Sequence, residues 1–198
     1  RIYTSAVKGL AKQDLSLLKK NKKQIAKLAE EVDNLRDNIF YFIKNLDESS
    51  LGASNFYISL LGDLQDITQS LEYISKVSFK HVNNNHKKLK YNQIHELKEI
   101  DNELNSLLNE IRDIFSQNEF SRIVGVLSKK QSLFDAISSK IEAQITRTRS
   151  DESSPKNTTL YFSLLLESKD LINTMMSFSE LYHKEYDASI EPATIKED

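Results

Sequence analysis

The chain is 198 residues long, 39% apolar and 28% charged, with a net charge of −2, four Gly, two Pro and no Cys. That length can bury a sizeable core, and so little Gly and Pro argues against a turn-rich β protein. The charge balance carries no polyanion-binding footprint and so forecasts no nucleic acid. The absent Cys rules out disulfides, thiolate zinc and a cysteine nucleophile, and the longest nearly unbroken apolar run, Leu160 to Leu166, is far short of the roughly 20 residues of a membrane-spanning helix.

Arg1 to Lys12 read as the end of a helix whose beginning is missing; no signal sequence opens the chain, and a start at Arg rather than Met suggests a segment cut from something longer or processed at its N-terminus. Asp14 is the expected N-cap of a long helix running to about Leu46. Its apolar residues Leu18, Ile25, Leu28, Val32, Leu35, Ile39, Phe42 and Leu46 step in alternating threes and fours, with Asn21 in the one gap. That spacing makes a bundle-forming seam. After a stop at 47–52, a second helix from Ala53 to about Val82 carries Leu60, Leu64, Ile67, Leu71, Ile74, Ser78 and His81, and Asn83-Asn84-Asn85 breaks it. A third runs from Asn92 to Ser116 on Leu97, Ile100, Leu104, Leu107, Ile111 and Ile114. Asn118 is the expected cap of a fourth, facing inward with Phe120, Val124, Leu127, Phe134, Ile141 and Ile145 up to Arg149. A last helix spans Asn157 to Tyr186, burying Leu164, Leu171, Met175 and Phe178, and residues 187–198 read as a disordered tail.

The stretch FYISLLGDLQDITQSLEY at 56–73 returns as LYFSLLLESKDLINTMMS at 160–177. Tyr57 pairs with Tyr161, Leu61 with Leu165, Asp63 with Glu167, Asp66 with Asp170 and Ser70 with Thr174, all at one offset of 104 residues. Asp47-Glu48-Ser49-Ser50 recurs as Asp151-Glu152-Ser153-Ser154, although within the preceding helix Leu28 and Val32 match Leu133 and Ile137 at 105. A turn and a helix repeated together imply a duplicated unit of about a hundred residues. The expected organisation is an all-α bundle of two tandem three-helix repeats, 1–91 with its first helix truncated and 92–186.

Catalytic motifs are lacking: there is no nucleophile elbow, phosphate loop or HExxH, so no enzyme is expected. His81, beside Lys80, loosely fits a histidine phosphotransfer site, but its place on an apolar seam fits packing better. Asp63 and Asp66 share a helix face beside the buried seam, as do Glu167 and Asp170. Together with Glu30, Asp33 and Asp37 on the first long helix they form an acidic stripe, read either as ligands of a divalent or iron ion or as boundary residues paired with Lys and Arg. If a metal binds, Glu30, Asp33 and Asp37 facing Asp63 and Asp66 make the richer set. Lys19, Lys20, Lys22 and Lys23 begin one helix and Lys87, Lys88 and Lys90 follow its antiparallel neighbour, so both clusters are expected at one end of the bundle. There they are a solvated end, or a contact for anionic membrane headgroups or for the cytoplasmic face of a transport domain.

Two tandem three-helix repeats with acids one step off the seam resemble PhoU, the phosphate-uptake regulator. HVNNNHKKL at 81–89 is similar to the C-terminal PhoU-like domain of bacterial sodium/phosphate cotransporters. The resemblance spans about Leu15 to Tyr186. It implies a regulatory domain on the cytoplasmic side of the inner membrane that acts by binding, with a transporter membrane domain upstream as its partner. A free-standing regulator and a plain helical scaffold are the alternatives, and self-association is left open. PhoU proteins carry E/D-x-x-x-D motifs that bind metal clusters. Here Gly62 and Leu166 stand where the first acid would be, leaving Asp63-x-x-Asp66 and Glu167-x-x-Asp170, while Asp33-x-x-x-Asp37 keeps the full spacing.

Overall fold

In the computed structural model, which describes residues 1–185, the first helix α1 spans Ile2–Lys12 and ends on Gln13 in the left-handed region, φ 52°. Asp14 then caps α2 (Leu15–Lys44) as its residue type predicts, its side chain accepting from the Leu17 N–H at 2.9 Å. A short 3-10 turn, Glu48–Ala53, leads into α3 (Ser54–Asn83), and α4 covers Tyr91–Gln117. At its start the Gln93 side chain reaches back to accept from the Lys90 N–H at 2.9 Å. After a 3-10 turn, Phe120–Arg122, come α5 (Ile123–Leu127), α6 (Lys130–Arg149) and α7 (Pro155–Glu185). The tail from residue 187 and the end of the last helix at Tyr186 lie outside the described residues.

The fold is an all-α antiparallel bundle. Helices α1, α2 and α3 pack on one another, as do α4, α5, α6 and α7, and the two groups join along α3 against α7 and α1 against α4. One apolar cluster runs through the join, from Tyr3, Ala6, Val7 and Leu10 of α1 through Leu97, Ile100 and Leu104 of α4 to Leu164, Leu165, Ile172 and Met176 of α7. The seam of α2 is buried at Leu18, Ile25, Val32 and Ile39 but stands apart from this cluster, covered by α3 and α1. The heptad positions stay buried through to Leu46, while Leu35, on the flank of the seam, is 39% exposed.

Two expectations are corrected. Asn118 caps no following helix; it is the left-handed C-cap of α4, φ 54°, with the Glu119 N–H returning to the Ile114 carbonyl at 3.0 Å. Its counterpart is Gln13, where the Asp14 N–H returns to the Gly9 carbonyl at 2.9 Å. The helix expected from there to Arg149 is interrupted at Ser128 and Lys129, where the Lys129 N–H bonds the Val126 carbonyl three residues back. The 3-10 turn at Phe120–Arg122 puts Phe120 and Ile123 on one side, burying Ile123 and Val126 and exposing Val124, and the tightening at Ser128 and Lys129 sets the buried face of α6 on Leu133 and Ile137, leaving Ile145 exposed.

The same boundaries explain the change of offset. Gln13 and Asn118, Leu15 and Phe120, and the helix ends Lys44 and Arg149 all correspond at 105, whereas α3 and α7 correspond at 104. The link from the second to the third helix is therefore one residue shorter in the second half. Buried positions of α3 and α7 keep step across it, Leu61 with Leu165, Thr68 with Ile172 and Ser75 with Ser179.

At the end of α3, His81 is 5% exposed and its Nε2–H donates to the Lys87 carbonyl at 2.9 Å. The carbonyl can only accept, so Nε2 carries the proton. Burial pushes the imidazole below its ordinary value of 6.5, and His86 beside it acts the same way against the Lys87 bond. The unfolded chain then binds the proton more readily, so stability is full above about 6.5 and falls as the pH drops through the folded value. Urea unfolding at neutral and mildly acidic pH should show this loss in the parent chain and a smaller loss in His81→Gln, whose amide can still donate to Lys87. Equal losses in the two proteins would assign the pH dependence elsewhere.

Candidate functional site

Where α3 crosses α7 their side chains leave an open cleft of about 360 Å3. Asp66 and Asp170 line it, with Gln69 and Asn173, and Ser70 and Thr174. Each of these pairs is related by the 104-residue offset, so the cleft sits where the two halves meet as equivalents. Tyr73 and Glu167 complete the lining. The location follows from the sequence: the acids lie one step off the buried seams of their helices, and packing two such helices brings both boundary faces to one crevice.

Asp63 lies beside this cleft and turns to the opposite helix. The Ser177 hydroxyl is 3.2 and 3.0 Å from its two carboxylate oxygens, donating to that carboxylate across the α3–α7 join. Burial raises the Asp63 carboxyl above its usual range, the Ser177 bond opposes this, and the charge on Asp66 adds to it. The lining offers carboxylate, amide and hydroxyl oxygens and no positively charged side chain. Such a cleft is suited to receiving hydrogen-bond donors or positive charge.

The structure thus brings Asp66, Glu167 and Asp170 to one crevice across the halves, with Asp63 alongside. It leaves Glu30, Asp33 and Asp37 exposed on α2, where Arg36 bonds Asp33 and Asp37, each at 3.2 Å. The pair Gln69 and Asn173 escaped the sequence reading, though the same offset that matched Asp66 with Asp170 relates them. A buried polar network was also missed: Glu96 of α4 and Arg147 of α6 pair at 2.7 Å, with Tyr161 of α7 donating to the same carboxylate. No period in the sequence signals it, because these residues interrupt the apolar pattern.

The basic residues gather as expected. The Gln13 side chain, between α1 and α2, donates to the His86 carbonyl at 3.3 Å. The Lys22 ammonium lies 4.4 Å from the centre of the Phe79 ring, so the lysines opening α2 sit beside those following α3.

No family model matches the sequence, and no curated protein matches it. Solved structures do match in shape. The phosphate transport system regulatory protein PhoU from Streptococcus pneumoniae superposes with a TM-score of 0.73 at 15% identity, over 93% of this chain and 86% of that one. This chain has the PhoU fold. PhoU from Pseudomonas aeruginosa gives a TM-score of 0.75 at 12% identity, over 92% of this chain and 88% of its own.

The PhoU resemblance implies metal clusters, and the donor sets can be tested for them. Among the described residues no group of three or more His, Cys, Asp or Glu is arranged to hold an ion. Asp33 and Asp37 flank a guanidinium, Asp63 accepts from Ser177, and Leu166, where PhoU has an acid, is 54% exposed. At Gly62 an added Cβ would meet nothing within 4 Å, so open surface stands at the other missing acid. As arranged, the acids of this PhoU fold do not fit a metal centre.

Proposed function

We propose that the chain is a regulatory domain of phosphate uptake that works by binding, attached to a sodium-coupled phosphate transporter on the cytoplasmic side of the inner membrane. The observation that carries this reading is the correspondence with PhoU over nearly the whole of both chains, since one of those matches is named as the regulatory protein of a phosphate transport system. The HVNNNHKKL turn, through its resemblance to the cotransporter branch, supports attachment to a transporter. A free-standing regulator is supported by the PhoU match itself, because one of the proteins matched is named a phosphate transport system regulatory protein.

Cells lacking this chain should take up radiolabelled phosphate at an altered rate, and restoring it should return the rate to normal. Sodium dependence of the altered component ties the effect to a cotransporter, whereas a sodium-independent one favours the free-standing regulator. Phosphate uptake that is indifferent to the chain in both phosphate-rich and phosphate-poor medium would overturn the proposal.

A further inference from the structure

One end of the bundle is rich in lysine although the chain as a whole is not positive. The α1–α2 turn and the α3–α4 connection meet there, joined by the bond from Gln13 to the His86 carbonyl. Lys19, Lys20, Lys22 and Lys23 project from the first turns of α2, all exposed. Lys87, Lys88 and Lys90 project from the connection beside them, also exposed. Among the described residues none of the seven has a carboxylate within ion-pair distance. Asp14 there caps α2 and Glu96 is held by Arg147, while Asp151 and Glu152 of the α6–α7 turn, tied to this end by the bonds from Gln93 to Ser153 and from Asn157 to the Lys88 carbonyl, are exposed and outnumbered by the seven lysines.

A second observation adds an apolar element to the same end. Tyr91, next to Lys90, is 84% exposed. Beside it a cavity of about 410 Å3 opens between the end of α1 and the first turns of α4, with Ala11, Leu89 and Ile94 in its wall and Lys88 and Lys98 also lining it. Ammonium groups around an apolar recess, with an exposed tyrosine at the edge, match the boundary of a bilayer, where anionic headgroups overlie acyl chains and amphipathic rings settle between them.

We propose that this end of the bundle docks on an anionic phospholipid surface, with the lysines against the headgroups and Tyr91 and the recess beside it at the headgroup boundary. Nucleic acid suits the surface less well. All seven cations are lysines, point charges without the planar fork that grips phosphate in two places, and they crown a blunt end. The lysines' long stems let the charges reach the headgroups while the turn backbone stays in water. This inference stands on charge and shape, and a failure of the phosphate-uptake reading would leave it intact.

Co-sedimentation of the chain with vesicles tests it. Vesicles of phosphatidylcholine containing phosphatidylglycerol should bind the protein, phosphatidylcholine alone should not, and binding should weaken as salt rises and the charges are screened. The triple variant Lys87→Glu, Lys88→Glu, Lys90→Glu should lose at least about tenfold in affinity, from the free energy each base contributes near such a surface. Tyr91→Ser should weaken binding with no change in charge, and circular dichroism checks that both variants keep their helices. Equal binding to the two vesicle types, no binding to the anionic one, an unaffected triple variant, or tighter binding to double-stranded DNA at the same salt would each overturn the proposal.

Discussion

Replacing Arg147 by Met should cost about 3–5 kcal/mol, the usual consequence of stranding one member of a buried ion pair. The Arg147 side chain is 7% exposed, and its guanidinium makes three contacts of 2.7–3.0 Å to Glu96 and one of 3.0 Å to Gln144. The guanidinium also lies 5.5 Å from the centre of the Tyr161 ring, and the Tyr161 hydroxyl donates to the same carboxylate. Gln144 accepts in turn from Gln93, 3.0 Å away, so one substitution unsettles α4, α6 and α7 together. In a chain of this size the melting temperature should fall by on the order of 10 °C. Arg147→Lys should also lose stability, since one ammonium cannot serve two partners in a fork. The informative variant is E96Q/R147M: with no lone carboxylate left, it should recover part of the loss. If it recovers nothing, Arg147 acts through the packing of its stem and not through its charge.

Gly9→Val should cost about 2 kcal/mol, although Gly in a helix is normally the poorer residue. A Cβ at Gly9 would lie 2.5 Å from two carbons of Leu18, and Leu18 is fully buried against α1 and α3 with nowhere to move. The position is thus the closest approach of α1 to the start of α2, and it needs a residue without a side chain. Leu18→Ala would empty the space a larger residue needs, so the G9V/L18A pair should lose less than the sum of its single variants in urea unfolding. A Gly9→Val protein as stable as the parent would show that α1 can shift off α2 at no cost.

The spacing of apolar residues made the helices legible, and Asp14 marked the start of α2 because an Asx cap acts locally. The rotation of one helix against another was less legible. Helical periodicity assigns a face, but it does not say which neighbour meets it. Asp66 was therefore grouped with Glu30, Asp33 and Asp37 of α2, while the structure sets it in a cleft with Glu167 and Asp170 of α7. Val124 and Ile145 stand exposed for a related reason: tightened turns at Phe120–Arg122 and at Ser128 and Lys129 change the phase, and no Gly or Pro in them announces it. Gly9 reads as an ordinary helical residue until the distance to Leu18 is known. The meeting of the two lysine clusters, by contrast, was legible, since antiparallel connectivity alone brings the start of α2 beside the end of α3.

The position of α2 outside the central cluster also sets how the molecule opens. Its buried residues Leu18, Ile25, Val32 and Ile39 rest on α3 and α1, and detaching them leaves the contacts of α1, α4 and α7 in place. Buried polar atoms lower the cost further: Asn21 and Ser75 share one long contact of 3.4 Å, and the Asn21 side-chain Oδ1 and the Ser78 hydroxyl have no partner. Each of those groups gains a hydrogen bond to water when the helix lifts away. The arrangement predicts two tiers of cooperativity in amide hydrogen exchange, with α2 opening as a sub-global unit before the central scaffold is lost on complete unfolding.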